Sequence, residues 1–182
     1  MNTEKALQTA GELLHTWTQS ASNPEPDRLD LIISRTDLLT AVKTLKDARW
    51  GFLSAITGLD HLKLEESLIQ KPETPENKTP QDSQLAEPVL EVLYHFCQGA
   101  AVVTLRIKLT RSVPSVPSIC DLLPSASMYE RELSEMFGID VIGTPDSSHL
   151  LLPDDWPNGV YPLRKDFTGL KQVSKPAGKD TN

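Results

Sequence analysis

The chain has 182 residues, fourteen prolines and a net charge of −7. That length fits one domain with a real core, and the acid excess argues against a general nucleic-acid binder, which needs a basic face. No run of eighteen apolar residues is present, so no transmembrane helix is expected, and the first residues lack a signal-peptide core and cleavage site; the expectation is a cytoplasmic protein that meets a membrane only through partners.

Taken in chain order, Leu7, Ala10, Leu14 and Trp17 recur at helical spacing and predict a helix over 3–20. It packs on its own domain or docks on a partner. Pro24 and Pro26 mark a loop, and 29–34 reads as a short strand. Thr36 stands where an N-cap belongs for a helix over 37–48, with Asp37 in its first turn and Leu38, Leu39, Val42 and Leu45 on its apolar face. Residues 50–57 read as a strand that ends near Gly58.

Residues 65–88 hold four prolines and an excess of acids, with almost no large apolar group after Ile69. Burial there cannot offset the entropy of ordering, so a flexible acidic insertion is expected. The clearest signal follows. Residues 89–96 and 101–109 alternate strictly around a turn at Cys97–Ala100, in which Gly99 is free to take positive φ. Leu90, Val92, Tyr94 and Phe96 share one face, as do Val103, Leu105, Ile107 and Leu109, with Thr104, Arg106 and Lys108 opposite. One face of this sheet should be covered by helices.

Beyond it, a short helix over 118–123 is expected to stop at Pro124. Ser127 and Glu130 have the spacing of a capping box for a helix over 128–137, and Gly138 stands at its C-terminal cap. A short strand at 140–142, an apolar run Leu150–Leu152 and an extended arm come next, and the polar stretch 168–182 reads as disordered tail. The expected fold class is α+β, a mixed β-sheet with helices packed on one face and an extended C-terminal arm, forming one domain over 1–167.

Catalytic signatures are sparse. Cys97 and Cys120 are too few for an iron–sulfur cluster and read as core residues. His15, His61, His95 and His149 are scattered without ligand spacing. No phosphate-binding glycine loop or nucleophile elbow occurs. Glu130, Glu132 and Glu135 form an acid cluster, in which 132 and 135 lie one turn apart and Arg131 can pair with Glu135. It reads as a solvated or interfacial face, with Tyr129, Leu133, Met136 and Phe137 turned inward. The alternative is a stand-alone acid-cluster enzyme. Asp154 and Asp155 are adjacent, so they rarely chelate together; a turn role or pairing with Arg164 or Lys165 is expected, with Trp156 as an anchor.

Two dense blocks carry a resemblance: Glu130-Arg131-Glu132 leading through Glu135 to Met136-Phe137-Gly138-Ile139, and Pro162-Leu163-Arg164-Lys165-Asp166. Their order and spacing resemble the 30 kDa subunit family of NADH-quinone oxidoreductase, respiratory complex I, a module shared with membrane-bound energy-converting hydrogenases. The resemblance implies a non-catalytic peripheral-arm subunit with no cofactor of its own. NADH, quinone and iron–sulfur clusters would belong to partner subunits, and the protein would dock on the large quinone-site or nickel-site subunit, on the cytoplasmic side of the membrane.

It implies a partner interface of Glu130, Arg131, Glu132, Glu135, Phe137, Gly138, Asp154, Asp155, Trp156, Pro162, Leu163, Arg164, Lys165 and Asp166. Arg164 is the foremost candidate, because its planar fork makes bidentate contacts; its removal should weaken assembly and leave stability unchanged. The sequence departs from the family at Gly143-Thr144-Pro145-Asp146-Ser147-Ser148, where Thr144 replaces a usual histidine and the two serines replace paired arginines, and in the longer turn 156–161. Both features point to the hydrogenase branch or a divergent complex I. A general adaptor that uses 65–88 as its contact is a further alternative.

Overall fold

In the computed structural model the described residues are 2–62 and 89–169; the expected acidic insertion and most of the expected tail lie outside them. The chain begins with helix α1 (Thr3–Leu14), capped by the Asn2 side chain, which accepts from Glu4 N–H. Ala6, Leu7, Ala10 and Leu14 form its buried stripe. The helix is shorter than its apolar spacing suggested. After Leu14 the chain tightens into a 3-10 turn at His15–Trp17 and leaves as strand β1 (Thr18–Ser22).

Strand β2 (Arg28–Ile33) buries every second residue. A 3-10 turn over Arg35–Asp37 then leads into α2 (Leu38–Asp47). Ser34, whose hydroxyl accepts from Thr36 N–H, caps this turn; Asp37 stands at the start of α2 with no side-chain cap, so Thr36 is not its N-cap. Leu38, Ala41, Val42 and Leu45 are fully buried, while Leu39 is exposed. Helices α1 and α2 pack on each other, and α1 lies on β2 and on the later strand β5 (Ala101–Thr110). The Trp50 indole N–H closes the helix pair by donating to Ala6 C=O at 3.0 Å.

Strands β3 (Phe52–Asp60), β4 (Val89–Gln98) and β5 complete a five-stranded sheet in the order β1-β2-β5-β4-β3. Only the β2–β5 pair is parallel. The β4–β5 hairpin closes at Gln98↔Ala101, with Gly99 at φ 62° in the turn. Tyr94 pairs with Leu105, Phe96 with Val103 and Val92 with Ile107, and these rows join Leu31 and Ile33 in the core under the helices. The mixed sheet with helices on one face makes the fold α+β, as the alternation implied.

The opposite face is polar, and one group there is fully buried. Arg106 donates from Nε and Nη2 to the two Glu91 oxygens at 2.8 Å and from Nη1 to Asp30 at 2.9 Å, bridging three strands. His61 reaches the same carboxylate at 2.7 Å. Burial by itself would raise the Glu91 pKa, but Arg106 and His61 outweigh it and hold the group below the ordinary carboxylate range.

Gly58 does not end β3. It lies mid-strand because the Phe137 ring needs the space: a Cβ there would sit 2.6 Å from that ring. Pro124 likewise does not stop a helix. Residues 118–123 form only a turn, and Pro124 opens the 3-10 segment Pro124–Ala126 that runs into helix α3 (Ser127–Phe137). A parallel pair, β6 (Ser115–Pro117) and β7 (Asp140–Ile142), brackets α3.

Gly58→Ala is expected to cost about 1–3 kcal/mol by overpacking against Phe137. Urea unfolding should show the loss, and adding Phe137→Leu should recover part of it.

Candidate functional site: the α3 knot and its arm

Helix α3 holds two loops, 118–120 and 146–152, through its charged side chains. Glu130 is buried. Its Oε1 accepts from Ile119 N–H at 2.7 Å, and its Oε2 accepts from the Ser118 hydroxyl at 2.7 Å and the Cys120 thiol at 3.1 Å. The carboxylate is thereby committed to the loop after β6, so the expected capping box with Ser127 does not form and α3 has no side-chain cap. Burial pushes the Cys120 thiol above its ordinary pKa, which suits a thiol that donates to a carboxylate.

Glu135 does the equivalent on the other side. Leu150, Leu151 and Leu152 present consecutive backbone N–H groups to it at 3.2, 2.9 and 2.7 Å, and His149 Nδ1 lies at 3.0 Å. Burial favours protonation, but these donors outweigh it and lower the pKa below the usual value. The expected Arg131–Glu135 pair is therefore absent. Arg131 instead donates to Ser148 C=O, the Ser148 hydroxyl and His149 C=O, and pairs with Asp146 at 3.3 Å. Ser148 also donates from N–H and hydroxyl to Asp146.

The three acids were expected on a solvated or interfacial face; Glu130 and Glu135 are buried instead of solvated, and the three do not converge. Glu130 faces 118–120, Glu135 faces 149–152, and Glu132 lies beside β3. Among the described residues no three His, Cys, Asp or Glu side chains meet in a way that could hold a metal ion.

At its end α3 turns on Gly138, left-handed at φ 64°, as a C-terminal cap requires. Tyr161 lies against it so closely that a Cβ would be 2.2 Å from the ring. Arg164 stacks over Tyr161 at 4.3 Å from the ring centroid. It donates to Phe137 C=O at 2.6 Å and Gly138 C=O at 3.4 Å, the carbonyls a helix leaves without partners. Leu163 N–H meets Met136 C=O at 3.1 Å.

The arm is fastened further along. Asp60, buried at the end of β3, accepts from Lys165 N–H at 2.9 Å and pairs with Arg111 at 3.2 Å, while Arg111 also holds Asp166 at 2.8 Å. Trp156 donates to Val160 C=O and rests near Phe167. Asp154 and Asp155 are exposed in the turn closed by Trp156 N–H to Pro153 C=O; neither pairs with Arg164 or Lys165 among the described residues. The arm therefore folds back on its own domain, and Arg164 is a structural clamp, against the expectation that its loss would leave stability unchanged. Sequence reading missed Asp60 and Arg111, because their partners are far away in the chain or are backbone groups.

The family described as "Respiratory-chain NADH dehydrogenase, 30 Kd subunit" matches residues 31–173. The chain belongs to this family. It is 31% identical over 140 residues to the corresponding NADH-quinone oxidoreductase subunit of Moorella thermoacetica, covering 75% of this chain and 78% of that one. It is 46% identical over 66 residues to membrane-bound hydrogenase subunit beta of Pyrococcus furiosus, covering 36% and 38%. It is 40% identical over 74 residues to formate hydrogenlyase subunit 5 of Escherichia coli, covering 41% of this chain and 13% of that protein. The match thus spans well under two thirds of the last two relatives. A component of the membrane-bound sulfane sulfur reductase, an archaeal respiratory membrane complex, superposes with TM-score 0.66 at 20% identity, covering 93% of this chain and 89% of that one, which extends the likeness in fold. The protein is accordingly a complex I-like or hydrogenase-like subunit.

Two outcomes follow. Arg164→Ala should destabilise the domain by about 2 kcal/mol, as expected for losing charge-assisted bonds to buried carbonyls; thermal melting checks this. The folded Glu135 carboxyl titrates below its unfolded value, near 4.3. Its contribution is therefore fully present above that value and is lost as pH falls through the lower, folded pKa. Unfolding free energy measured from about pH 7 to about pH 3 should fall less steeply in Glu135→Gln than in the parent.

Proposed function

We propose that this protein is a non-catalytic peripheral subunit whose α3 knot and folded arm dock on the large quinone-site or nickel-site subunit of a complex I-like or hydrogenase-like enzyme. The observation that carries the reading is the use of the motif's charges. Glu130, Arg131, Glu135 and Arg164 are all bound to the chain's own loops and helix end, so the motif builds a rigid platform and leaves no converging set of groups for proton transfer or metal binding. Rigid, pre-arranged surfaces lose little entropy on association.

The relatives support the same direction. In formate hydrogenlyase subunit 5 the matched stretch occupies 13% of the protein, so there it is one part of a much longer chain. Relatives named for both enzyme classes match this chain, so the electron donor, NADH or another, follows from the companions. Cofactors, quinone and iron–sulfur clusters are assigned to those companions, and electron transfer coupled to ion translocation belongs to the assembly. No helix among the described residues is long and apolar enough to cross a membrane; membrane attachment on the cytoplasmic side is assigned to the partners.

Purification of the tagged full-length protein from its native membranes in mild detergent should recover a large quinone-site or nickel-site subunit, identified by mass spectrometry, with iron–sulfur signals in electron paramagnetic resonance. Recovery of the protein alone, with metal or activity of its own, would overturn the reading and favour the acid-cluster enzyme.

A further inference from the structure

The arm is held differently from the rest of the chain. After β7 the described residues form no further helix or strand, and none of residues 153–169 is buried. Burial of apolar surface, which holds the sheet to its helices, therefore contributes little to the arm. Its packing is also incomplete: a hollow of about 220 Å³ lies against Tyr161, Arg164, Asp166 and Phe167. What fastens the arm is a set of polar clasps. Leu163 N–H and the Arg164 guanidinium donate to the carbonyls at the end of α3, Lys165 N–H donates to Asp60, and Asp166 pairs with Arg111.

All these clasps come from four consecutive residues, 163–166, and they reach only two places, the end of α3 and the Asp60–Arg111 pair. That pair stays joined without the arm, and the second Asp60 oxygen keeps its bond from Leu62 N–H. A hinge precedes the clasps. Leu150–Leu152 are tied to Glu135 and Tyr161 lies on Gly138. Between them, residues 153–160 make their hydrogen bonds within the segment, from Trp156 N–H to Pro153 C=O, from Val160 N–H to Pro157 C=O and from the Trp156 indole to Val160 C=O. Closing the arm also carries a cost. Burial, with Arg111 nearby, pushes the Arg164 pKa below its ordinary value, because this part-buried guanidinium rests on carbonyl oxygens.

We propose that residues 161–167 are a releasable strap over the end of α3, which swings away as one unit on a hinge at 153–160 while the sheet and the α3 knot stay folded. The clasps let go together because the strap is a single piece: Arg164 N–H donates to Tyr161 C=O and Phe167 N–H to Arg164 C=O, so 161–167 is two linked turns. Openings of this kind arise in segments with few buried apolar contacts. Release bares Gly138 and the carbonyls of Met136, Phe137 and Gly138, which the closed strap covers, so the end of α3 has a closed face and an open one. The strap belongs to the fold itself and does not depend on the docking function proposed above.

Amide hydrogen exchange of the full-length protein, read residue by residue by NMR, tests this. The N–H groups of Leu163, Arg164, Lys165 and Phe167 are all bonded in the closed strap. They should exchange through one shared opening that hardly depends on urea, since little surface is exposed. The β4–β5 amides should exchange only by global unfolding, with a steep urea dependence. Asp60→Asn should lower the protection of all four strap amides by one common factor, about tenfold, and Asp166→Asn by a smaller common factor; neither should change Leu151 and Leu152 N–H. Glu135→Gln should do the reverse, lowering protection at 151 and 152 and leaving the strap as it was. Asp166→Asn carries the same test should Asp60→Asn fail to fold. Exchange of the strap amides only with the global transition, unequal factors among the four, indifference to both aspartate variants, or an equal loss in the strap and at 151–152 in any variant would each overturn the strap.

Discussion

A carboxylate removed from water needs its lost hydrogen bonds returned, and the α3 region is organised by that requirement. Glu130 and Glu135 are both buried on an eleven-residue helix. Neither has a cation as its main partner. Backbone N–H groups, a hydroxyl, a thiol and an imidazole supply the donors, and such donors exist only if the loops 118–120 and 149–152 take one conformation. Leaving a buried charged group without partners costs several kcal/mol, so each carboxylate acts as a template for a loop that has little secondary structure of its own.

The remaining charges extend this scheme outward. Arg131 fixes the loop before Glu135's donors, so the 146–149 turn is gripped from two positions on one helix. Arg164 closes the helix end and draws the arm down onto it, where Tyr161 meets the face opened by Gly138. The sheet contributes Asp60 and Arg111 as the far anchor of the arm. A motif dense in charge has thereby become an interior structure, and its outer surface is left mostly to Met128, Glu132, Leu163 and the exposed acids of the 153–156 turn.

Where the information was local or periodic, the sequence disclosed the fold. The β4–β5 hairpin was legible because alternation at period two survives without knowledge of neighbours, and Gly138 was legible because a helix end needs a left-handed residue. β1 was not: Thr18–Ser22 is polar and unpatterned, and Trp17 continued the apolar spacing of α1 past its true end. Gly58 looked like a strand terminator because its reason lies in Phe137, far along the chain. The capping-box spacing at Ser127 and Glu130 misled because Glu130 finds better donors in a loop that precedes the helix. The site was legible as a pair of blocks belonging together, yet the task of each charge was not, since backbone N–H groups leave no mark in a sequence. Glu132 and Glu135 look alike in the primary structure, and only the fold shows which of them the loop 149–152 binds.

The bond from Lys165 N–H to Asp60 joins residues 105 positions apart. Contacts at such separation form late, after the intervening sheet has closed the distance. Asp60 sits at the end of β3 and Lys165 in the arm, beside Arg164, which closes the end of α3. A change that displaces the end of β3 therefore also loosens the helix end, and two parts of the chain distant in sequence respond as one body.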